Sequence, residues 1–211
     1  MLFPNAVTAE ILGLIKSLQQ KEYLKYFRLA GGTALALYWG HRKSIDIDLF
    51  CDSSFDAAHL LEEIQQDFIF DLFLTAPNTL KGSINNIKVD FIAHRYPNIG
   101  SPVVLEGMKL LHENDILAMK LNAISISGQR SKDFIDIWYA FKKYEISEMI
   151  DFYMGKYNQP QASHVLKSLI FFDDVDLADW PELIKDPGLK WEDIKKDIEK
   201  NVLHYINTFN K

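Results

Sequence analysis

Residues 29–50 read LAGGTALALYWGHRKSIDIDLF, and the fold turns on how they are arranged. Their last third, residues 43–50, alternates apolar and acidic side chains with a period of two, which predicts a half-buried strand. Successive side chains of a strand point to opposite faces. Asp46 and Asp48 are therefore expected on one face, roughly 7 Å apart, with Ile45, Ile47 and Leu49 entering a core. Two carboxylates that close repel unless a cation lies between them, and the hard, oxygen-seeking Mg²⁺ (or Mn²⁺) suits that position.

The first third of the stretch supplies a complementary feature. Residues 27–30 are short and apolar and run into Gly31 and Gly32, the pattern of a strand ending in a tight turn, after which residues 33–39 are good helix formers. A glycine pair lets the backbone approach a phosphate closely. A helix starting at Thr33 would aim its free N–H groups and dipole at that anion, with the Thr33 hydroxyl as a further donor. Residues 34–45 then form a helix and return turn, so carboxylates and phosphate cradle are expected to face one cleft.

Outward from this stretch, residues 7–26 place Ile11, Leu12, Ile15 and Leu18 at helical spacing. Ser53 or Ser54 is a candidate cap for a helix running through Gln66, and residues 68–75 and 87–94 read as strands, with a possible short strand near Ser83. After Pro102 the character changes to helices at about 114–126, 132–144, 146–156, 160–170 and 190–209, with caps at Asn114 and Ser131. The expected fold class is α+β: a mixed β-sheet with flanking helices over residues 1–105, followed by a helical C-terminal domain over residues 106–211 that completes the cleft.

Composition sets the outer bounds. About half of the 211 residues are apolar, so a packed core is affordable, and the net charge of −6 argues against a protein that coats nucleic acid with a global basic surface. Any polyanion must meet a local patch. Arg42 and Lys43 stand just before the aspartates, and Lys120, Arg130 and Lys132 cluster farther on. One cysteine, six histidines without zinc-type spacing, no basic-apolar leader and no long apolar run together suggest a cytoplasmic protein without membrane contact. Residues 171–179, FFDDVDLAD, lack the glycine and closing glutamate of a calcium loop and read as a solvated acidic loop. Trp180 and Trp191 read as helical-domain core or interface.

The glycine turn followed by DID resembles the signature of the DNA polymerase β-type nucleotidyltransferase superfamily: hG[GS], a spacer, DhDh, and a third carboxylate on a later strand. Val89-Asp90-Phe91 supplies a fitting third acid. The resemblance implies that Asp90 helps Asp46 and Asp48 hold the metal and takes a proton from the attacking hydroxyl. Thr33 stands where serine is commoner, and keeps the hydroxyl. Residues 114–142, NDILAMKLNAISISGQRSKDFIDIWYAFK, are similar to the AbiEii-type nucleotidyltransferases, toxins of abortive-infection toxin–antitoxin systems, in which a lysine-bearing helix precedes an R-x-KDxxD helix start.

The residues themselves allow Lys120 to place its ammonium on a triphosphate, and Asp133 and Asp136, three apart on one helix face, to bond Lys120, Arg130 or a ribose. Asp136, interior to the helix, is the more telling of the two; the resemblance carries over the lysine and one of these aspartates. It implies transfer of a nucleoside monophosphate from an NTP to a hydroxyl of RNA, such as the tRNA 3′ end, or of protein, with a separately encoded antitoxin as partner. The alternatives are a small-molecule, aminoglycoside-type nucleotidyltransferase, which need not carry the KDxxD helix, and a non-catalytic nucleotide-binding module.

Overall fold

In the computed structural model, which describes residues 2–209, the stretch 29–50 lies at the centre of a seven-stranded mixed sheet. The elements run α1 (Ala9–Gln19), β1 (Arg28–Leu29), α2 (Gly31–Trp39), β2 (Ile47–Cys51), α3 (Ala57–Asp67), β3 (Asp71–Ala76), β4 (Thr79–Ile84) and β5 (Ile87–Ala93). They continue with β6 (Val103–Leu105), β7 (Met108–Leu110), α4 (Glu113–Ile126), α5 (Ser131–Ala140), α6 (Ile146–Tyr157), α7 (Ser163–Leu169) and α8 (Trp191–Phe209). The strand order is β3-β4-β5-β2-β1-β7-β6. β2 runs parallel to β5, and β1 parallel to β7; the remaining pairs are antiparallel. The class is α+β, as the alternation of patterns predicts.

The registers matter more than the order. Asp48 on β2 stands opposite Asp90 on β5, and Lys81 on β4 stands opposite Asp90 from the other side. Cross-strand neighbours share a face, so two acids and a lysine are lined up across three adjacent strands.

Several expectations shift for identifiable reasons. β2 begins at Ile47 rather than 43, because the N–H of Lys43 donates to the Glu182 carbonyl and that of Ser44 to the Ala6 carbonyl, taking this backbone out of the sheet. Ile45, expected in the core, is consequently 62% exposed, whereas Ile47 and Leu49 are fully buried. α1 ends at Gln19, and the next buried apolar side chain, Leu24, lies in a separate 3-10 turn. Asp56 rather than a serine caps α3. His112 rather than Asn114 caps α4, and α5 starts at Ser131 with Arg130 in the cap position. The sheet continues beyond residue 105 through the β6–β7 hairpin. Glu106 and Gly107 make its two-residue turn, both with positive φ, the backbone that such a tight hairpin requires.

Apolar burial falls into two clusters. One lies between the sheet and α1, α2 and α3, around Leu29, Leu35, Ile47 and Phe91; the other fills the helical half around Leu121, Phe134, Met149 and Ile198. Trp39, at the end of α2, packs against both. Among the described residues no helix is long and apolar enough to cross a membrane.

The loop between β5 and β6 is fastened to the helices by a buried ion pair. Asp115 accepts the N–H groups of Ile99 and Gly100 at 3.0 and 2.9 Å and the Lys156 ammonium at 2.6 Å; the ammonium also reaches the Pro97 carbonyl at 3.3 Å. Removing one partner of such a pair leaves an uncompensated buried charge. Lys156→Ala is expected to lower unfolding stability in urea by about 3 kcal/mol. Lys25→Ala, which breaks an exposed pair with Glu22, is expected to leave stability nearly unchanged. Equal effects of the two substitutions would contradict this assignment.

Candidate active site

The glycine turn folds more tightly than its sequence suggests. α2 starts at Gly31 itself, not at Thr33, with Ala30 in the cap position and no side chain capping the first turn, so the glycines carry the free N–H groups at the helix start. Gly31 has φ +63°, and a Cβ there would overlap the Asp48 carboxylate. A Cβ at Gly32 would overlap the Arg42 guanidinium. Both glycines are thus required by close approach, one to an acid and the other to a cation, and Gly31 by its backbone as well.

Gly32, Asp46, Asp48 and Arg130 line both arms of a forked cleft. The first arm, about 280 Å³, passes Thr33, Ser44 and Ile45 toward Lys132, Trp180, Pro181 and Glu182. The second, about 480 Å³, passes Lys81, Asp90 and Ile92 toward Met119, Lys120, Asp133 and Tyr157. The three strand acids therefore face one space. Burial first, then the neighbouring Asp90 carboxylate, pushes Asp48 up to about 6. Asp90 is 4% exposed: one of its oxygens accepts the Lys81 ammonium at 2.7 Å, while Oδ1 is buried with no hydrogen-bond partner.

Among the described residues no three His, Cys, Asp or Glu side chains cluster as a self-sufficient metal cage. The donor set nevertheless fits Mg²⁺, which takes one or two carboxylates and completes its shell with water and substrate phosphate. The orphaned Oδ1 of Asp90 and the strained ionisation of Asp48 are what a shared cation would relieve.

Behind the cleft lies a buried network that the spacing of the helical motif only hinted at. Asp136, fully buried, accepts Arg42 Nε at 2.7 Å and Nη2 at 3.0 Å, His41 at 2.8 Å and Lys120 at 2.8 Å. Lys120 also donates to Asp133 at 2.5 Å. Burial alone would raise the Asp136 pKa; Arg42, Lys120 and the hydrogen bonds outweigh it and hold the carboxyl well below its ordinary range. Burial lowers the His41 pKa, so the ring is neutral and its Nε2–H donates to Asp136, which leaves Nδ1 without a partner. Two largely buried cations and two largely buried anions thus balance one another.

The placement of the sequence candidates follows from this network. Arg42, expected to meet a triphosphate, is 2% exposed and committed to Asp136, with a third bond to the Lys43 carbonyl. Lys43 sends its ammonium to the Asn5 carbonyl at 2.7 Å, and Lys132 pairs with Asp179 at 2.5 Å. The Thr33 hydroxyl is buried, donates to the Asp46 carbonyl and contacts the Ser44 hydroxyl, so its donor is already engaged. Asp133 lines the second arm; Asp136 lies beneath it, holding Lys120 and Arg42 in place. Arg130 is exposed at the fork, and its guanidinium has no ion pair among the described residues.

Sequence reasoning missed Lys81, His41 and the wall at 179–182. The first two carry no local motif. The third reaches the site through pairing of Leu183 with Arg42 and of Asp176 with Arg130, contacts between segments far apart in the chain.

A helix-start phosphate cradle opening onto strand carboxylates of a mixed sheet is the arrangement of a nucleotidyltransferase, and that is the class of this enzyme. Residues 14–72 match the family model described as "Nucleotidyl transferase AbiEii toxin, Type IV TA system". Over 186 residues the chain is 30% identical to the uncharacterized protein aq_aa25 of Aquifex aeolicus, covering 85% of this chain and 88% of that protein. Similar solved structures, each 18% identical, include JHP933 from Helicobacter pylori (TM-score 0.45, 97% of this chain and 100% of that one). Another is an antigenic nucleotidyltransferase-like protein from Paracoccidioides brasiliensis (TM-score 0.48, 77% and 87%). The chain belongs to the AbiEii nucleotidyltransferase family.

The raised pKa of Asp48 has a measurable sign. The folded state binds its proton more tightly than the unfolded chain, so ionisation of Asp48 destabilises the fold as pH rises from about 4 to 6, and the penalty then stays constant. A rise from 3.8 to about 6 corresponds to about 3 kcal/mol. Asp48→Asn should therefore stabilise the protein in EDTA at pH 7.5 by up to that amount, with the gain vanishing near pH 4. A variant less stable than wild type at pH 7.5 would contradict the assignment.

Proposed function

We propose that this enzyme transfers a nucleoside monophosphate from an NTP to a hydroxyl acceptor, RNA or protein, and acts as the toxin of a pair with a separately encoded antitoxin. The observation that carries the reading is the convergence of Asp46, Asp48 and Asp90 on the space in front of the glycine turn. Family membership supports the chemistry, and the family's description supports the toxin role.

The residues divide the work by position. Gly31 and Gly32 present free N–H groups to the triphosphate, and Arg130, the unpaired cation at the fork, neutralises it in place of the committed Arg42. Asp46, Asp48 and Asp90 would hold Mg²⁺ or Mn²⁺, which when bound supplies charge neutralisation of the triphosphate and acidifies the attacking hydroxyl. Asp90 accepts the proton as the acceptor oxygen bonds to the α-phosphorus and the bond from that phosphorus to pyrophosphate breaks. Lys120, locked between Asp133 and Asp136, fixes a positive charge on the wall of the second arm. Asp136 is a positioning residue, acting through Lys120 and Arg42.

Purified protein incubated with α-labelled NTPs and either total RNA or an aminoglycoside panel should label RNA or itself and release pyrophosphate. Asp46→Ala and Asp48→Ala are expected to lower the rate by about a hundredfold or more, and EDTA to abolish it. Growth arrest on expression should be relieved by Asp46→Ala. Metal-dependent transfer persisting in the double variant, or labelling of the aminoglycosides alone, overturns the proposal.

A further inference from the structure

We infer that the first arm of the cleft is the nucleoside pocket, and that the segment 176–184 is the element that fits the nucleoside, with Trp180 and Ile45 as its apolar contacts. This rests on the proposed function for the site. If Asp90 activates the acceptor hydroxyl, the acceptor enters through the arm that Asp90 lines, and the first arm is left to the nucleotide.

The first arm is shaped for such a ligand. Ile45 stands in the alternating run with Ile47 and Leu49, yet it is 62% exposed one residue from Asp46, an apolar side chain held at the edge of an ionic site. Trp180 and Pro181 line the same arm. Trp180 is half-buried, with its ring edge-on to Trp191 at 6.4 Å, so its position is set by the helical core behind it.

The segment is anchored on both sides. The N–H of Asp176 donates to the Gln129 carbonyl at 2.8 Å, that of Lys43 to the Glu182 carbonyl at 2.8 Å, and that of Ile184 to the His41 carbonyl at 2.8 Å. Of the segment so anchored, residues 179–182 line the arm, Trp180 and Pro181 among them. Apolar contacts from Ile45, Trp180 and Pro181 in an arm that also holds Arg130 and Gly32 match a molecule with an aromatic base at one end and a triphosphate at the other.

The test separates nucleoside contacts from phosphate contacts. Dissociation constants for a non-hydrolysable α,β-methylene NTP and for inorganic tripolyphosphate are measured on wild type, Trp180→Ala, Trp180→Phe and Ile45→Ala. Quenching of tryptophan fluorescence by the analogue should disappear in Trp180→Phe. Trp180→Ala should weaken the analogue about tenfold and Ile45→Ala about threefold, with Trp180→Phe close to wild type and tripolyphosphate unchanged throughout. Because Ile45 is exposed, its variant keeps the test valid should Trp180→Ala misfold. Unchanged binding of the analogue in Ile45→Ala and Trp180→Phe with quenching retained, or parallel loss of tripolyphosphate, overturns the inference. Failure of wild type to bind either ligand sinks the proposed function itself.

Discussion

The buried carboxylate of Asp136 is the interaction on which the site depends. It gathers His41 and Arg42 from the turn after α2 and Lys120 from α4, while itself belonging to α5, so one side chain ties the glycine-and-acid unit to the helical half. The guanidinium held this way lies against Gly32, in the first turn of the phosphate cradle. A residue of the second motif thereby sets the geometry of the first. Low dielectric makes these contacts strong and makes any missing partner costly, which gives the arrangement a single acceptable geometry.

A second constraint runs the opposite way. Asp48 and Asp90 are brought side by side by strand register, although burial and the neighbouring Asp90 carboxylate disfavour the ionised form of Asp48. Lys81 offsets part of that repulsion from the neighbouring strand. The helical network is electrostatically complete, whereas the strand acids are not. Electrostatic strain is thus concentrated at the place where a cation and a polyanion would be received.

Much of this was legible in residues 29–50, because strand alternation and a glycine pair are local signals and the chemistry they imply is local too. The Asp90 strand and the Lys120 and Asp133 helices were legible for the same reason. What escaped was whatever depends on distant partners. Period two placed Ile45 inside, but the backbone bonds of Lys43 and Ser44 to Glu182 and Ala6 turn it out. Charge alone made Arg42 a phosphate ligand, and no spacing rule reveals that its partner lies 94 residues on. Trp180 read as helical-domain core or interface; its ring does pack on Trp191, while the side chain also lines the first arm.

The cleft wall at 176–184 also sets an order in time. Gly31, Gly32, Asp46, Asp48 and Asp90 all precede the segment that closes the first arm, which is made nearly a hundred residues after Asp90. A nascent chain that has completed its sheet still presents an open groove. Closure of the first arm therefore trails completion of the sheet, and the topology of the fold alone sets that order.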